Sequence, residues 1–251
     1  MLYWLTEFSD GGDFFNLFRY ITFRAGAAFA TALIFGFIFG RPLIDLLRRK
    51  QGKGQPIRDD GPQTHFAKAG TPTMGGLLIL SALMFSTVLW ARLDGPYVWI
   101  VLLVTLGFGL IGFADDYAKV SKQNTKGVSS RVRLLLGLLI AALAAYAAAR
   151  FHPPELTNQL AFPFFKNALL NLGYFFVPFG MVVIVGAANA VNLTDGLDGL
   201  AIMPVMIAGT TLGIIAYVVG SSAIANDLGV HAVPGTAELL VFTAGLFGAG
   251  L

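Results

Sequence analysis

Residues 96–116 read PYVWIVLLVTLGFGLIGFADD, nineteen residues without a charge followed directly by two aspartates. A helix that crosses the hydrocarbon core of a bilayer needs about 20 mostly apolar residues. This stretch therefore predicts a transmembrane helix over 96–114. It also places Asp115 and Asp116 at the end of that helix, where the chain leaves the membrane.

Six further stretches meet or nearly meet the same length criterion, at 21–40, 72–91, 134–149, 174–191, 200–220 and 237–251. We therefore predict an all-α fold, a polytopic transmembrane helical bundle with about seven spans. No internal repeat or linker divides the chain, so residues 1–251 are expected to form a single integral-membrane domain.

The composition agrees with that prediction. Of the 251 residues, 56% are hydrophobic and 12% are charged, against about 25% charged in an ordinary soluble domain. The net charge of +3 does not indicate nucleic-acid binding, because the basic residues occupy short inter-helix segments rather than one continuous face. The chain has no Cys, which excludes disulfides and cysteine-ligated metals. Acidic residues near the N-terminus, Glu7, Asp10 and Asp13, argue against a removable signal peptide.

The distribution of Lys and Arg predicts the orientation. Seven basic residues lie in 41–71 and five in 115–133, which is twelve of the 17 in the chain. Short cytoplasmic loops carry the excess of positive charge in membrane proteins. With alternating spans these two segments face the cytoplasm, together with 192–199, and the N-terminus lies outside.

Asp115 and Asp116 are the first candidates for chemistry. Adjacent carboxylates at the end of a membrane helix repel each other and lose hydration unless a cation compensates them. A bound divalent ion is the natural compensator. Simple solvation at the interface is the alternative.

A second candidate segment runs from Asn189 to Leu200 and reads NAVNLTDGLDGL. If it is helical, Asn192, Asp195 and Asp198 share one face at spacings of three residues. Gly196 would allow a ligand to approach the backbone closely. A helix N-cap at Thr194 or Asp195 is the alternative, although a cap accounts for one polar residue only.

A third candidate lies before the second span, where Lys68 and Thr73 flank a helix start at Pro72. Free N–H groups and the helix dipole favour phosphate at such a place; an ordinary positive-inside lysine is the alternative. Taken together, the three segments indicate a phosphate reaction assisted by Mg²⁺, which prefers oxygen ligands and often uses one or two carboxylates plus substrate phosphates.

One familiar motif is a coincidence. Residues 107–112 match G-x-G-x-x-G, but that dinucleotide fingerprint requires a strand-to-helix turn of a soluble βαβ unit. Inside an apolar span, glycines are better explained by close helix packing.

Three strings carry a resemblance to a known family: GTPTMGG at 70–76, GFADDY at 112–117 and NAVNLTDGLDGL at 189–200. They resemble the phospho-N-acetylmuramoyl-pentapeptide transferases, a branch of the polyprenyl-phosphate N-acetylhexosamine-1-phosphate transferase superfamily. The resemblance implies a multi-pass enzyme of the bacterial inner membrane. It would use Mg²⁺ to transfer phospho-MurNAc-pentapeptide from UDP-MurNAc-pentapeptide to undecaprenyl phosphate, releasing UMP and forming lipid I in peptidoglycan synthesis.

The resemblance also assigns roles to residues. Asp115 would engage the lipid phosphate, as proton acceptor or as nucleophile, and Asp116 would support the metal; both are the candidate catalytic residues and metal ligands. The remaining candidates would bind substrate, namely Lys68, Thr73, Lys119, Lys126, Asn189, Asn192, Asp195, Gly196, Leu197 and Asp198. Of these, Asp198 and the backbone of 196–197 would lie nearest to uracil.

This chain departs from the family in one respect. Members span ten helices, and a later cytoplasmic loop supplies the main Mg²⁺ ligand. We therefore expect a transferase truncated after Leu251, inactive alone, in which Gly245, Gly248 and Gly250 face lipid for want of partner helices. A homodimer is the family expectation. The alternatives are a related polyprenyl-phosphate GlcNAc-1-phosphate transferase and, from another class, a multi-pass transporter.

Overall fold

The computed structural model describes residues 1–52, 72–123, 127–162, 165, 168–194 and 199–251. These residues contain eight α-helices, which are listed here in chain order: α1 Ile21–Gln51, α2 Gly76–Trp90, α3 Pro96–Lys122, α4 Ser130–Phe151, α5 Phe176–Thr194, α6 Ile202–Gly220, α7 Ser222–Leu228 and α8 Leu239–Gly250. The all-α prediction is confirmed.

The predicted spans all correspond to helices, but not all to long ones. Helices α1, α3, α4 and α6, and α5 with the turn that precedes it, are long and apolar enough to cross a membrane. The other two predicted spans are the shorter apolar helices Gly76–Trp90 and Thr236–Gly250. Helix α2 starts at Gly76 rather than near residue 72, because Met74 has φ 72° and interrupts the helical backbone.

Small elements that the sequence did not predict lie in the connections. Strands β1 (Gln159–Ala161) and β2 (Leu169–Asn171) form an antiparallel hairpin with Leu160 opposite Leu170. Two 3-10 segments, Leu2–Phe8 and Phe14–Arg19, precede α1. These elements are too short to produce a periodic hydrophobic signal.

Helix α8 is the centre of one half of the bundle, where it packs against α1, α2 and α6. The expectation that its glycines face lipid is wrong. A Cβ at Gly245 would lie 2.7 Å from the Ser86 hydroxyl, and one at Gly248 would collide with the Phe29 carbonyl of α1. Gly250 faces Met206 in the same way. The glycines thus allow α8 to approach three other helices closely.

The other half of the bundle is formed by α3, α4 and α5, with α4 packed against both neighbours. Gly107 and Gly109 lie inside α3, not on a strand-to-helix turn. A Cβ at Gly107 would lie 2.9 Å from Ile140, and one at Gly109 would lie 2.7 Å from Leu80. Helix packing is therefore the correct explanation of this glycine motif.

Chain direction alternates through the bundle. Helices α1, α3 and α5 end, and α2, α4 and α6 begin, at one end of the bundle, which we call the site end. The connections 91–95 and 221–238 lie at the opposite end. Helix α3 continues to Lys122, about two turns beyond the predicted end at 114, so Asp115 and Asp116 lie within the helix rather than at its end. They share the site end with Asn192, which lies near the C-terminus of α5.

Candidate active site

A cleft of about 830 Å³ opens at the site end between α2, α3, α4 and α5. Its mouth is polar and is lined by Asp115, Asp116, Lys119, Arg133, Asn189 and Asn192. One to two helical turns further into the bundle the walls become apolar, with Leu80, Phe108, Gly137 and Val185. The cleft therefore joins a charged surface to a hydrocarbon-like interior.

Asp115 is the buried carboxylate of the pair, with its side chain 8% exposed. Its Oδ2 lies 2.6 Å from Lys119 Nζ, one helical turn later, and 3.5 Å from an Arg133 guanidinium nitrogen of α4. Two cations thus compensate one carboxylate. These side chains are basic partners of the kind that a carboxylate near the end of a membrane helix requires.

The loop before α4 holds the other oxygen of Asp115. The backbone N–H of Val128 donates to Asp115 Oδ1 at 2.8 Å. Gly127 precedes it with φ 55°, and a Cβ at this position would collide with the Asp115 carboxylate. Glycine is required here because it adopts the left-handed conformation without strain and leaves room for the carboxylate.

Asp116 is the more accessible carboxylate, with its side chain 30% exposed. The Thr73 hydroxyl donates to its Oδ2 at 3.0 Å, and its Oδ1 lies 3.5 Å from Lys119 Nζ. Lys119 consequently bridges the two carboxylates. An ammonium group carries three donors, so it can hold both and still reach an anion in the cleft.

Asn189 and Asn192 line the cleft from α5, one turn apart. The Asn189 amide donates to the Val185 carbonyl of its own helix at 2.8 Å. This bond uses one of its two N–H groups, which leaves the second N–H and the oxygen for a ligand.

The structure therefore brings together six of the predicted site residues, namely Thr73, Asp115, Asp116, Lys119, Asn189 and Asn192. The other six, Lys68, Lys126, Asp195, Gly196, Leu197 and Asp198, lie outside the described residues. In the chain, 195–198 follow α5 directly, and residue 126 precedes Gly127.

Sequence reasoning missed two residues of this site. Arg133 was counted only as one of the basic residues of its segment, and Gln51 was not considered. Gln51 forms two hydrogen bonds with the backbone of Thr73. Neither residue has a motif or spacing that would have pointed to it, since both contacts depend on how separate helices pack.

The described side chains of the cleft provide some, but not all, of the ligands that Mg²⁺ requires. Among the described residues, no group of three His, Cys, Asp or Glu side chains could hold a metal. Asp116 is accessible and offers carboxylate oxygen, while both oxygens of Asp115 are already bonded. Since Mg²⁺ is usually bound by one or two carboxylates together with substrate phosphates, Asp116 fits as a ligand better than Asp115.

Comparison with known proteins identifies the family. Residues 98–246 match the family model for glycosyl transferase family 4, and residues 68–80 match phospho-N-acetylmuramoyl-pentapeptide-transferase signature 1. Three curated relatives carry the name phospho-N-acetylmuramoyl-pentapeptide-transferase. They come from Ruegeria sp. (strain TM1040), 73% identical, Ruegeria pomeroyi, 72%, and Dinoroseobacter shibae, 66%.

Each of these matches covers 100% of this chain and 70% of the relative. The matched regions include α3, the carboxylate pair and the segment that leads into α2. On this identity and coverage, the chain belongs to the family of the phospho-N-acetylmuramoyl-pentapeptide transferases.

Proposed function

We propose that this membrane protein transfers phospho-MurNAc-pentapeptide from UDP-MurNAc-pentapeptide to undecaprenyl phosphate, releasing UMP and forming lipid I. The observation that carries the proposal is the change of polarity along one cleft. Lys119 and Arg133 supply positive charge at the mouth, and Leu80, Phe108 and Val185 supply an apolar wall further in. A phosphate on a long hydrocarbon chain has the same two parts.

The reaction is a phosphoryl-type transfer. An oxygen of the lipid phosphate attacks the sugar-linked phosphorus of the nucleotide, a new P–O bond forms, and the bond to the UMP phosphate breaks. Catalysis of such transfers consists mostly of positioning and charge neutralisation. Lys119 and Arg133 are suited to both, because they are held in place by Asp115 and can share their donors with phosphate oxygens.

Asp115 is proposed to organise these cations and to accept whatever proton the lipid phosphate still carries. Little proton transfer is required near pH 7, because the second pKa of a phosphate monoester is about 6. Because the Val128 N–H holds Oδ1 and Lys119 holds Oδ2, the carboxylate is better suited to orienting the cations than to attacking phosphorus as a nucleophile.

Mg²⁺ is proposed as the cofactor, and when bound it would neutralise charge on the pyrophosphate. Asp116 would be its ligand, with its carboxylate oriented by Thr73. Lys68 and Lys126 would bind phosphates. Asn189 and Asn192, together with Asp195 and Asp198 and the Gly196-Leu197 backbone, would line the nucleotide side.

The bacterial inner membrane is the proposed location, with the site end at the cytoplasmic face and the N-terminus outside. The support is the positive charge of the segments at the site end, which hold twelve of the 17 basic residues. A homodimer is proposed as the assembly.

The test is UMP release, with both substrates and Mg²⁺, by a purified protein that carries this chain at the full length of its relatives, measured against reactions that lack one component. UMP formation only with undecaprenyl phosphate present supports the proposal. Turnover of UDP-GlcNAc in place of UDP-MurNAc-pentapeptide would instead identify a GlcNAc-1-phosphate transferase. Solute flux in liposomes without UMP would identify a transporter, although the carboxylates lie near helix ends rather than at the midplane where transporters bind their substrates.

A further inference from the structure

Gln51 is a buried polar residue that the proposed function leaves unused. It is the last residue of α1, and its exposure is only 9%. Gly52 follows with φ 59° and ends the helix, with its N–H bonded to the Arg48 carbonyl. A long amide side chain at an exposed helix end would normally point into water, but this one is directed toward the segment that leads into α2.

The Gln51 amide pairs with the backbone of Thr73 in both directions. Its Nε2 donates to the Thr73 carbonyl at 3.0 Å, and its Oε1 accepts from the Thr73 N–H at 2.9 Å. This is the pattern that a neighbouring strand would offer to a residue in a ladder. One side chain thus satisfies both backbone groups of Thr73 and fixes its peptide planes.

Thr73 connects Gln51 to the cleft through its hydroxyl group. Its hydroxyl donates to Asp116 Oδ2 at 3.0 Å. The next residue, Met74, has φ 72° and lines the cleft. A non-glycine residue is strained in the left-handed region, so the surrounding contacts must hold this turn in place.

We infer that Gln51 is a positioning residue for the transfer reaction: through Thr73 it orients the Asp116 carboxylate. The inference rests on the proposed function, because it assigns Gln51 to the catalytic step of that reaction. Gln51 itself is not among the residues that line the cleft. Gln51 can therefore influence the substrates only through its hydrogen bonds to Thr73 and the hydrogen bond from Thr73 to Asp116.

A purely structural role is the alternative, in which Gln51 only ties the end of α1 to the start of α2. The two roles differ in coupling. If Gln51 acts through the Thr73 hydroxyl, the Gln51 substitution has no further effect on the rate once that hydroxyl has been removed. The effects of the two substitutions on the activation free energy are then not additive. If it only joins two helices, the effects of both substitutions multiply, as they do for independent sites.

The experiment is a double-mutant cycle in a protein that carries this chain at the full length of its relatives, with Gln51→Met, Thr73→Val and the combined variant. Both replacements keep the side-chain size and remove the hydrogen-bonding groups. We expect Gln51→Met to lower kcat about tenfold or more, since small misplacements of catalytic groups have effects of up to about a hundredfold. KM for both substrates should stay within about twofold, and the combined variant should be no slower than Thr73→Val within about twofold.

Hydrogen exchange at Thr73 provides a readout that does not depend on activity. Gln51→Met should accelerate exchange of the Thr73 amide about tenfold or more, because that amide loses its acceptor. Gln159→Met in β1, a glutamine remote from the site end, is the matched control and should change neither kcat nor this exchange. If Gln51→Met lowers the melting temperature, Gln51→Asn replaces it, since the shorter amide cannot reach both backbone groups.

The outcomes separate the two proposals. Multiplicative losses in the combined variant, or unchanged exchange at Thr73, would overturn the positioning role while UMP release by the unsubstituted protein still supports the proposed function. Absence of UMP release from the unsubstituted protein would overturn the proposed function and the catalytic role of Gln51 with it. The exchange measurement would then report on the Gln51–Thr73 pairing alone.

Discussion

Arg24 and Glu238 are separated by 214 positions in the sequence and form a bidentate ion pair, with both nitrogen–oxygen distances 2.6 Å. The pair is buried at the end of the bundle opposite the site. Arg24 also donates to the Trp90 carbonyl at 3.2 Å, and Glu238 accepts from the Arg92 backbone N–H at 3.0 Å. The pair therefore joins α1, the α2–α3 connection and the start of α8.

The first prediction concerns this pair. Glu238→Gln should lower the free energy of unfolding by about 3–5 kcal/mol, because it leaves a buried guanidinium without its counter-charge. Replacing both partners, Arg24→Met with Glu238→Leu, should have a smaller effect, since neither charge then remains buried. The measurement is thermal or denaturant unfolding in detergent.

Asp94→Asn is the control for that experiment. It breaks the exposed Arg92–Asp94 pair, whose side chains are 46% and 44% accessible, and exposed pairs contribute about 0–1 kcal/mol. Equal losses from Glu238→Gln and Asp94→Asn would contradict the importance assigned to the buried pair.

The second prediction concerns the carboxylates. Made in the complete enzyme, Asp115→Asn and Asp116→Asn should each lower turnover by at least about a hundredfold with the fold intact, because groups that stabilise developing charge contribute several kcal/mol to the barrier. Asp198→Asn should do the same. The measurement is UMP release, with melting temperature as the check on folding. Well-folded variants with near-normal rates would refute the roles proposed for these residues.

The third prediction concerns Gly127. Gly127→Ala should lower turnover about tenfold or more, because the new methyl group would displace the Asp115 carboxylate and strain a backbone with φ 55°. Gly36→Ala is the matched control, since the space around Gly36 in α1 is open. If both variants retain full activity, the Val128 N–H is not needed to hold Asp115.

The fourth prediction concerns orientation. Cysteines introduced as Gln55→Cys and Gln123→Cys should react with a membrane-impermeant thiol reagent only from the cytoplasmic side, and Leu160→Cys only from the outside. The chain has no native Cys, so each label reports one position. Labelling of all three from one side would contradict the alternating topology.

The sequence could predict contacts between side chains that are close neighbours on the same helix. Asp115 and Lys119 are four residues apart, so their contact follows from helical geometry alone. Thr73 was predicted from the helix start at Pro72, Asn192 from its helical spacing to Asp195 and Asp198, and Asn189 from the segment that it begins. The helices themselves were predictable because their apolar runs are long.

Other contacts could not be predicted, because they depend on how distant segments pack. Arg133 reaches Asp115 only because α4 packs beside α3 and Gly127 turns the loop inward. Gln51 meets Thr73 across 22 positions, and Arg24 meets Glu238 across 214. Nothing in the local pattern of these residues indicates their partners.

The depth of the carboxylate pair decides how an acceptor lipid would arrive. Asp115 lies 19 residues after Pro96 in one continuous helix, which is about 28 Å of rise, close to the thickness of about 30 Å of the hydrocarbon core. The headgroup phosphate of the proposed acceptor lipid would lie in that same plane and would reach the cleft by lateral diffusion. The quantity that controls its encounter is then its mole fraction in the bilayer. Dilution with inert lipid at a fixed total amount of acceptor would slow the reaction, while dilution with buffer at a constant concentration of the nucleotide substrate would not slow turnover per enzyme.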